Sequence, residues 1–366
     1  MKPNQTHDAQ FMQRAIALAA QGTRAVRPNP RVGCVLVQGR KIVGEGFHAQ
    51  AGGPHAEAVA LAQAGDRARG ATAYVTLEPC NHTGKTPPCA QALIAAGVQR
   101  VVVGVHDPHP LAAGGKETLE AAGIPVDMGV ELQACLDVAE VFLTGIHQKR
   151  PFVHWKIATT LDGRIAAEDG TTRWISCPES RVRVHQMRAE ADAVLIGSGT
   201  ALADDPRLDL RELPQATTLP LRVVLDRRLR LKLESHLAET QQQKTLVVTD
   251  SQSRAESEHA DLLRAKDVEI LLVPAGDSWL RTVLETLAAR GIQDVLCESG
   301  RTLGTALWRE GLVDRLELVL APRLLGSGTL WLESLGIPTL DSGRPLRFAP
   351  PQLVGQDLWV TARPVR

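Results

Sequence analysis

At 366 residues the chain has length for two domains, taking roughly 150 residues for one. Forty-one Lys and Arg balance forty-one Asp and Glu, so no net field draws it onto a nucleic-acid backbone. Apolar residues at 44% and charged residues at 22% exclude a disordered chain, and the absence of an uncharged apolar run of about 18 residues excludes a spanning helix.

The polar stretch Met1 to Gln10 lacks the apolar core of a signal peptide, and a cytoplasmic location is expected. There thiols stay reduced, so paired members of the six Cys read as metal ligands rather than disulfides. Aromatics at 3% leave few stacking platforms for single-stranded nucleic acid.

Helical spacing from Asp8 to Gln21 stops at Gly22. Runs 32–37 and 41–47 read as a hairpin through Gln38-Gly39-Arg40. A helix over His55 to Ala64, a strand over Thr72 to Leu77, a helix over Pro88 to Ala96 and a strand over Arg100 to Val105 follow. One long helix is expected from Glu131 to His147. Pro151 disfavours helix before it, which sets a domain boundary and gives domains 1–148 and 150–366.

The second half restarts with a strand over Phe152 to Ala158 and a helix over Glu179 to Ala189. Strands 193–197, 221–226, 245–249, 268–273 and 294–298 alternate with helices near 254–265, 277–290 and 302–310. A strand over Val313 to Leu320 and a late edge strand over 352–360 complete the series. Alternation of this kind predicts an α/β layer structure in both halves.

His55-Ala56-Glu57 opens a helix, Pro79-Cys80 closes a strand, and Cys89 heads the next helix. Ligands of the types His, Cys and Cys leave a tetrahedral Zn²⁺ one open position for water. Glu57 is too close to His55 to ligate conveniently, and it is placed to shuttle protons to a leaving amine. Zinc nucleobase deaminases carry H-x-E and then P-C-x-x-C, whereas here eight residues separate the two Cys. Cys34, Cys135, Cys177 and Cys297 read as ordinary core or surface residues.

Leu77-Glu78-Pro79-Cys80-Asn81-His82-Thr83-Gly84-Lys85-Thr86-Pro87-Pro88-Cys89 resembles the deaminase half of the bifunctional riboflavin-biosynthesis deaminase–reductases, the RibD type. Pro28-Asn29-Pro30-Arg31-Val32-Gly33, Gly44-Glu45-Gly46-Phe47-His48 and Asp107-Pro108-His109-Pro110 are similar to the same family. The chain departs from its pattern at His109 and at Gly114-Gly115-Lys116. The resemblance implies a substrate, 2,5-diamino-6-ribosylamino-4(3H)-pyrimidinone 5′-phosphate, and hydrolytic deamination at C2. It also implies a pocket lined by Asn29 and His48. His82 and Lys85, between the Cys ligands, suit a polar substrate edge and a phosphate or ring oxygen, and Asp107 suits ring amino groups. Turn or cap roles remain open for each.

No G-x-G-x-x-G follows a strand. Gly197-Ser198-Gly199-Thr200 is a phosphate-facing loop or a tight turn, and Gly300 at a strand-to-helix turn either presents N–H groups to a pyrophosphate or simply starts a helix. Their order resembles the family's reductase half. Lys156-Ile157-Ala158-Thr159-Thr160-Leu161-Asp162-Gly163-Arg164 comes first, then Trp174-Ile175, the run Thr200 to Leu208 and Glu298-Ser299-Gly300. The implied architecture is an N-terminal cytidine-deaminase-like three-layer domain plus a C-terminal dihydrofolate-reductase-like domain.

The resemblance carries NADPH contacts onto Ala158, Trp174, Thr200, Asp204, Gly300, Arg301, Thr302, Leu303, Gly304, Thr305 and Ala306. It carries substrate contacts onto Thr172, Arg188, Leu208, Arg211 and Glu298, with both arginines suited to clamp a ribose phosphate. Arg227, in the basic stretch Asp226 to Lys232, either grips the cofactor's 2′-phosphate or is a solvated turn residue. Lys156, Asp204 and Glu298 are the unranked proton-handling candidates. One Zn²⁺ per chain, a small pyrimidine nucleotide substrate and a homo-oligomer are expected, with neither nucleic acid nor membrane as partner. The competing readings are a tRNA-editing deaminase, disfavoured by neutral charge and scarce aromatics, and a structural zinc module, disfavoured by Glu57.

Overall fold

The computed structural model describes residues 3–82, 87–216 and 218–365. It divides into two compact units, Met1–Lys149 and Arg150–Arg366.

The first unit runs α1 (Pro3–Ala19), β1 (Gly33–Gln38), β2 (Lys41–Phe47), α2 (Ala56–Ala64), β3 (Thr72–Leu77), α3 (Cys89–Ala95), β4 (Arg100–Val105), α4 (Gly115–Ala121), β5 (Val126–Met128), α5 (Leu132–Val138) and α6 (Glu140–Gln148). Its sheet has the order β2-β1-β3-β4-β5, antiparallel at β1–β2 and β1–β3 and parallel from β3 to β5. Alternate strand residues feed opposite faces. Leu36, Val75, Val101 and Val103 pack with Ala56, Ala60, Leu93 and Leu119 of α2, α3 and α4. Val35, Val37, Tyr74 and Val102 pack with Met12 and Ala15 of α1 and with Cys135 and Leu143 of α5 and α6. The result is a helix–sheet–helix sandwich.

Glycines set the helix distances. A Cβ on Gly33 would lie 2.0 Å from the Ala15 carbonyl oxygen of α1, and one on Gly46 would lie 2.4 Å from that of Ala56 in α2. The single helix expected over 131–147 is two, broken at Ala139, whose φ of −97° and ψ of 4° leave the helical region.

The second unit runs β6 (Phe152–Thr160), β7 (Arg164–Ala166), α7 (Pro178–Glu190), β8 (Ala193–Gly197), α8 (Ser198–Asp204), β9 (Leu221–Leu225), β10 (Thr245–Thr249), α9 (Gln252–Ala255), α10 (Glu258–Ala265), β11 (Glu269–Leu272) and α11 (Trp279–Ala289). Then come β12 (Asp294–Cys297), α12 (Arg301–Arg309), β13 (Arg315–Ala321), β14 (Thr329–Leu330), β15 (Leu346–Phe348), β16 (Gln352–Val354) and β17 (Asp357–Pro364). The main sheet has the order β11-β10-β9-β8-β12-β6-β13-β17-β15, parallel from β11 to β13, with β16 also paired to β17. Leu195, Val223 and Leu246 face α11 and α12, while Ile196, Val224 and Val247 face Leu231, Leu237 and Leu263.

Two expectations need correction here. The helix near 254–265 is two, because the Ser257 hydroxyl accepts the Ala260 N–H and so caps a fresh start. The late edge strand is a hairpin, β16 and β17, turning at Gly355 with φ +59°. Its longer arm is interior, antiparallel to β13 on one side and β15 on the other. Among the described residues no helix is long and apolar enough to cross a membrane.

Candidate active sites

In the first unit His55 is the N-cap of α2, Cys80 follows β3, and Cys89 is the first residue of α3. The loops thus converge at one end of the helices. One ligand atom of each of the three residues lies within 4.8 Å of the others. His55 Nδ1 is 3.5 Å from Cys80 Sγ and 3.3 Å from Cys89 Sγ, and the Cys89 N–H points at Cys80 Sγ from 3.4 Å. Hydrogen bonding from Cys89 holds the Cys80 thiol down at about 4 against the opposing effect of burial, with His55 adding to it. Two cysteine sulfurs and an imidazole at this separation form a donor set that fits Zn²⁺ and leaves a fourth position open.

Glu57, the second residue of α2, is 3% exposed, and burial pushes its carboxyl up to about 7. A carboxyl poised near neutrality both accepts and releases a proton. Asn29 Nδ2 lies 3.1 Å from His48 Nε2, and His48 Nδ1 donates to the Pro54 carbonyl at 2.9 Å. The His48 ring meets that of His55 edge-on at 5.2 Å. Asn29 and His48 therefore stand beside the candidate donor set. Asp107 is buried at 4%, with its carboxylate accepting the His109 N–H, and His82 is exposed. Lys85 lies outside the described residues.

A residue not singled out from the sequence holds this site together. The buried Glu78 carboxylate accepts the N–H groups of Asp107 at 3.2 Å and Lys116 at 2.9 Å, and pairs with His106. Its place beside Pro79-Cys80 was the available signal. Gly114 and Gly115 each need to be glycine in this chain. Gly114 has φ +98°, and a Cβ on Gly115 would lie 1.8 Å from the Pro79 carbonyl oxygen.

In the second unit a cleft of ≈ 450 Å³ opens at the C-terminal ends of the parallel strands. Ligands of open α/β sheets bind at such ends. Of the expected residues, Ala158, Thr172, Trp174, Thr200, Asp204, Arg188, Leu208, Arg211 and Glu298 all line it, and so does Lys156. Trp174 is 56% exposed and lies under the Arg181 guanidinium at 4.6 Å from its ring centroid. Burial pushes the Lys156 ammonium down. Burial alone would raise the Glu298 carboxyl, but Arg188 and Lys156 outweigh it and hold it below the usual range.

Other expected contacts fall elsewhere. Arg227, Gly300 and the start of α12 are not among the residues lining the cleft. Arg227 pairs with Asp250 and lies 5.4 Å from the Trp279 ring centroid. Gly300 is the N-cap of α12, and its N–H donates to Thr200 Oγ1 at 3.4 Å, which places it next to a cleft residue. Leu303 and Ala306 pack into the core, and the buried Thr305 accepts the Glu333 N–H. A Cβ on Gly304 would lie 2.0 Å from Trp155 Cζ2. The side chains of 303–306 thus serve packing, and only the first-turn N–H groups, from Arg301 to Leu303, remain to face an anion. The Arg188 fork is also engaged, donating to Glu298 and to the Asp209 carbonyl.

Residues 5–105 match the cytidine and deoxycytidylate deaminase zinc-binding region, and residues 151–359 match the RibD C-terminal domain. The riboflavin biosynthesis protein RibD of Aquifex aeolicus is 41% identical over 352 residues, covering 96% of this chain and 97% of its own. The chain belongs to the RibD family. The Escherichia coli RibD is 39% identical, covering 96% of this chain and 98% of its own. Among solved structures, Acinetobacter baumannii RibD superposes with a TM-score of 0.81 at 39% identity, covering 99% of this chain and 100% of its own. The Thermotoga maritima diaminohydroxyphosphoribosylaminopyrimidine deaminase/5-amino-6-(5-phosphoribosylamino)uracil reductase gives 0.82 at 34%, with the same coverage. As a RibD-family member the chain is a bifunctional enzyme of riboflavin biosynthesis, with a zinc-dependent deaminase half and an NADPH-dependent reductase half.

Proposed function

We propose that the first unit hydrolyses the C2 amine of 2,5-diamino-6-ribosylamino-4(3H)-pyrimidinone 5′-phosphate to a carbonyl, releasing ammonia. The second unit then reduces C1′ of the ribosyl group to give 5-amino-6-(5-phospho-ribitylamino)uracil. The observation that carries this reading is the convergence of His55, Cys80 and Cys89 with the buried Glu57 beside them. Zn²⁺ held by those three residues supplies, when bound, a water acidic enough to attack at neutral pH. Glu57 takes the proton of that water and delivers it to the departing amine. Asn29 and His48 fix one edge of the ring. Asp107 receives ring amino groups, His82 meets a polar substrate edge, and Lys85 serves a phosphate or ring oxygen.

NADPH in the cleft of the second unit supplies the hydride. Ala158, Trp174, Thr200, Asp204 and the first-turn amides beyond Gly300 hold it, and Arg227 reaches its 2′-phosphate. Lys156 lines the cleft near the charge of Glu298, and burial lowers its hold on its proton, which suits it as the proton source of this step. Thr172, Leu208 and Arg211 position the ribosyl chain, and Arg188 keeps Glu298 ionised.

Balanced charge and the lack of a spanning helix among the described residues support a cytoplasmic enzyme that binds neither nucleic acid nor membrane. Exposed Phe348 and Leu353 in the C-terminal strands support a homo-oligomer. Ammonia release and NADPH oxidation on the diaminopyrimidinone nucleotide test the two steps. Release of ammonia from a tRNA substrate alone would refute the assignment.

A further inference from the structure

His185 stands on α7 one turn before Arg188, so the two side chains share a helix face. It is 4% exposed and lines the cleft of the second unit. Its Nδ1 is closed to solvent and unpaired, and no hydrogen bond to either ring nitrogen exists among the described residues. A buried imidazole without partners costs stability unless something else satisfies it. The groups around it are charged. Arg188 lies on the same helix, Arg211 and Asp209 come from the loop after α8, and Glu298 from the end of β12. Burial first, and the two arginines second, push the imidazolium down and favour the neutral ring. A neutral imidazole keeps one N–H to donate.

The neighbouring cations differ in what they have to spare. The Arg188 fork is spent on Glu298 and the Asp209 carbonyl. Arg211 has one Nη1 bond to Asp209 at 2.6 Å, and 49% of its side chain is exposed. An anion entering this side of the cleft therefore meets a guanidinium with open donors and an imidazole with none of its capacity used. We propose that His185 contacts the 5′-phosphate of the reductase substrate, sharing it with Arg211. The proposal rests on the reductase reading of the cleft given above. A dianion beside the ring also offsets the two arginines and so draws a proton onto it, converting a neutral contact into a charge-assisted one.

The test compares wild type with His185→Leu, His185→Gln and Arg211→Ala in the full chain. The readout is reductase kcat/KM on the deaminated nucleotide and on its phosphate-free nucleoside. All six Trp lie in the second unit, so their fluorescence in urea reports its stability separately. His185→Leu is expected to lower kcat/KM on the phosphorylated substrate about tenfold or more, as for one charge-assisted contact. The nucleoside rate and the KM for NADPH stay unchanged, His185→Gln recovers part of the loss, and the urea midpoint does not fall. Equal losses on both substrates, or none on either, overturn the contact, as does a lowered midpoint with a parallel rise in the KM for NADPH, the mark of a core histidine. If Arg211→Ala discriminates between the substrates and His185→Leu does not, the proposal alone fails. If neither discriminates, the phosphate lies elsewhere and the reading of the cleft fails with it.

Discussion

Arg188 donates from Nε to Glu298 Oε1 at 2.5 Å and from Nη2 to Oε2 at 3.0 Å, with 11% of each side chain exposed. This bidentate pair ties α7 to the end of β12 beneath the reductase cleft, and it sets the charge that Lys156 sees.

Removing Glu298 leaves the Arg188 guanidinium buried with only its bond to the Asp209 carbonyl. Glu298→Ala should cost about 3–5 kcal/mol of second-unit stability, as for other broken buried pairs. The tryptophan urea transition measures this, and ammonia release by the other half serves as the folding control.

The same pair gives a pH signature. Glu298 is held below its ordinary value, so its contribution is complete above about 4.3 and is lost as pH falls through the lower folded value. Below about pH 4 the wild-type urea midpoint should fall more steeply than that of Glu298→Gln, which has no proton to take up there. Parallel curves would show that the carboxylate contributes nothing through ionisation.

Glu57→Gln should retain one zinc and lose about 10²–10⁴-fold in deamination, because the ligands are untouched and the proton shuttle is gone. Metal analysis beside an ammonia assay decides it, and NADPH oxidation on the deaminated nucleotide should be unaffected. A near wild-type deaminase rate would remove Glu57 from the reaction.

Arg227→Ala should raise the apparent KM for NADPH roughly tenfold and leave that for NADH alone, as one charge-assisted phosphate contact would. Arg227 sits just past the end of β9, at the C-terminal side of the strands, although Asp250 and Trp279 already engage it. Steady-state kinetics with both cofactors separate a 2′-phosphate grip from a surface ion pair.

Gly115→Ala should damage zinc loading, since its Cβ would meet the Pro79 carbonyl oxygen at 1.8 Å, next to Cys80. Overpacking of this kind costs about 1–3 kcal/mol. Zinc content after dialysis is the direct measure, and Gly123→Ala, a turn with nothing within 4 Å, is the control for a merely strained backbone.

The parts of the fold legible in sequence are those with local causes. Thr72 to Leu77 and Arg100 to Val105 are apolar, β-branched and bounded by turn residues, and they form β3 and β4 at those limits. The break at Ala139 has no Gly or Pro to announce it, and so 131–147 reads as one helix. Gly197 to Thr200 reads as a phosphate-facing loop or a tight turn, whereas α8 already begins at Ser198, without a side-chain cap to announce it. The cluster of His55, Cys80 and Cys89 was legible as a candidate donor set because His55-x-Glu57 and Pro79-Cys80 are local patterns. The Lys156–Glu298–Arg188 chain was legible only as separate charges, since its members are brought together by strand order across β6 and β12 and by α7. The inward turn of Leu303 to Ala306 follows from the packing of α12 on Trp155, which no local pattern encodes.

The central claim is that one chain performs both steps at two separate sites. The most direct measurement follows ammonia and NADPH together on the diaminopyrimidinone nucleotide, before and after zinc is removed with a chelator. The expected result is ammonia release without NADPH, one NADPH oxidised per ammonia when it is present, and loss of both on chelation. NADPH oxidation should survive chelation when the deaminated nucleotide is supplied instead. Ammonia release that persists in the zinc-free protein, or a reductase that fails on the deaminated nucleotide, would contradict the account.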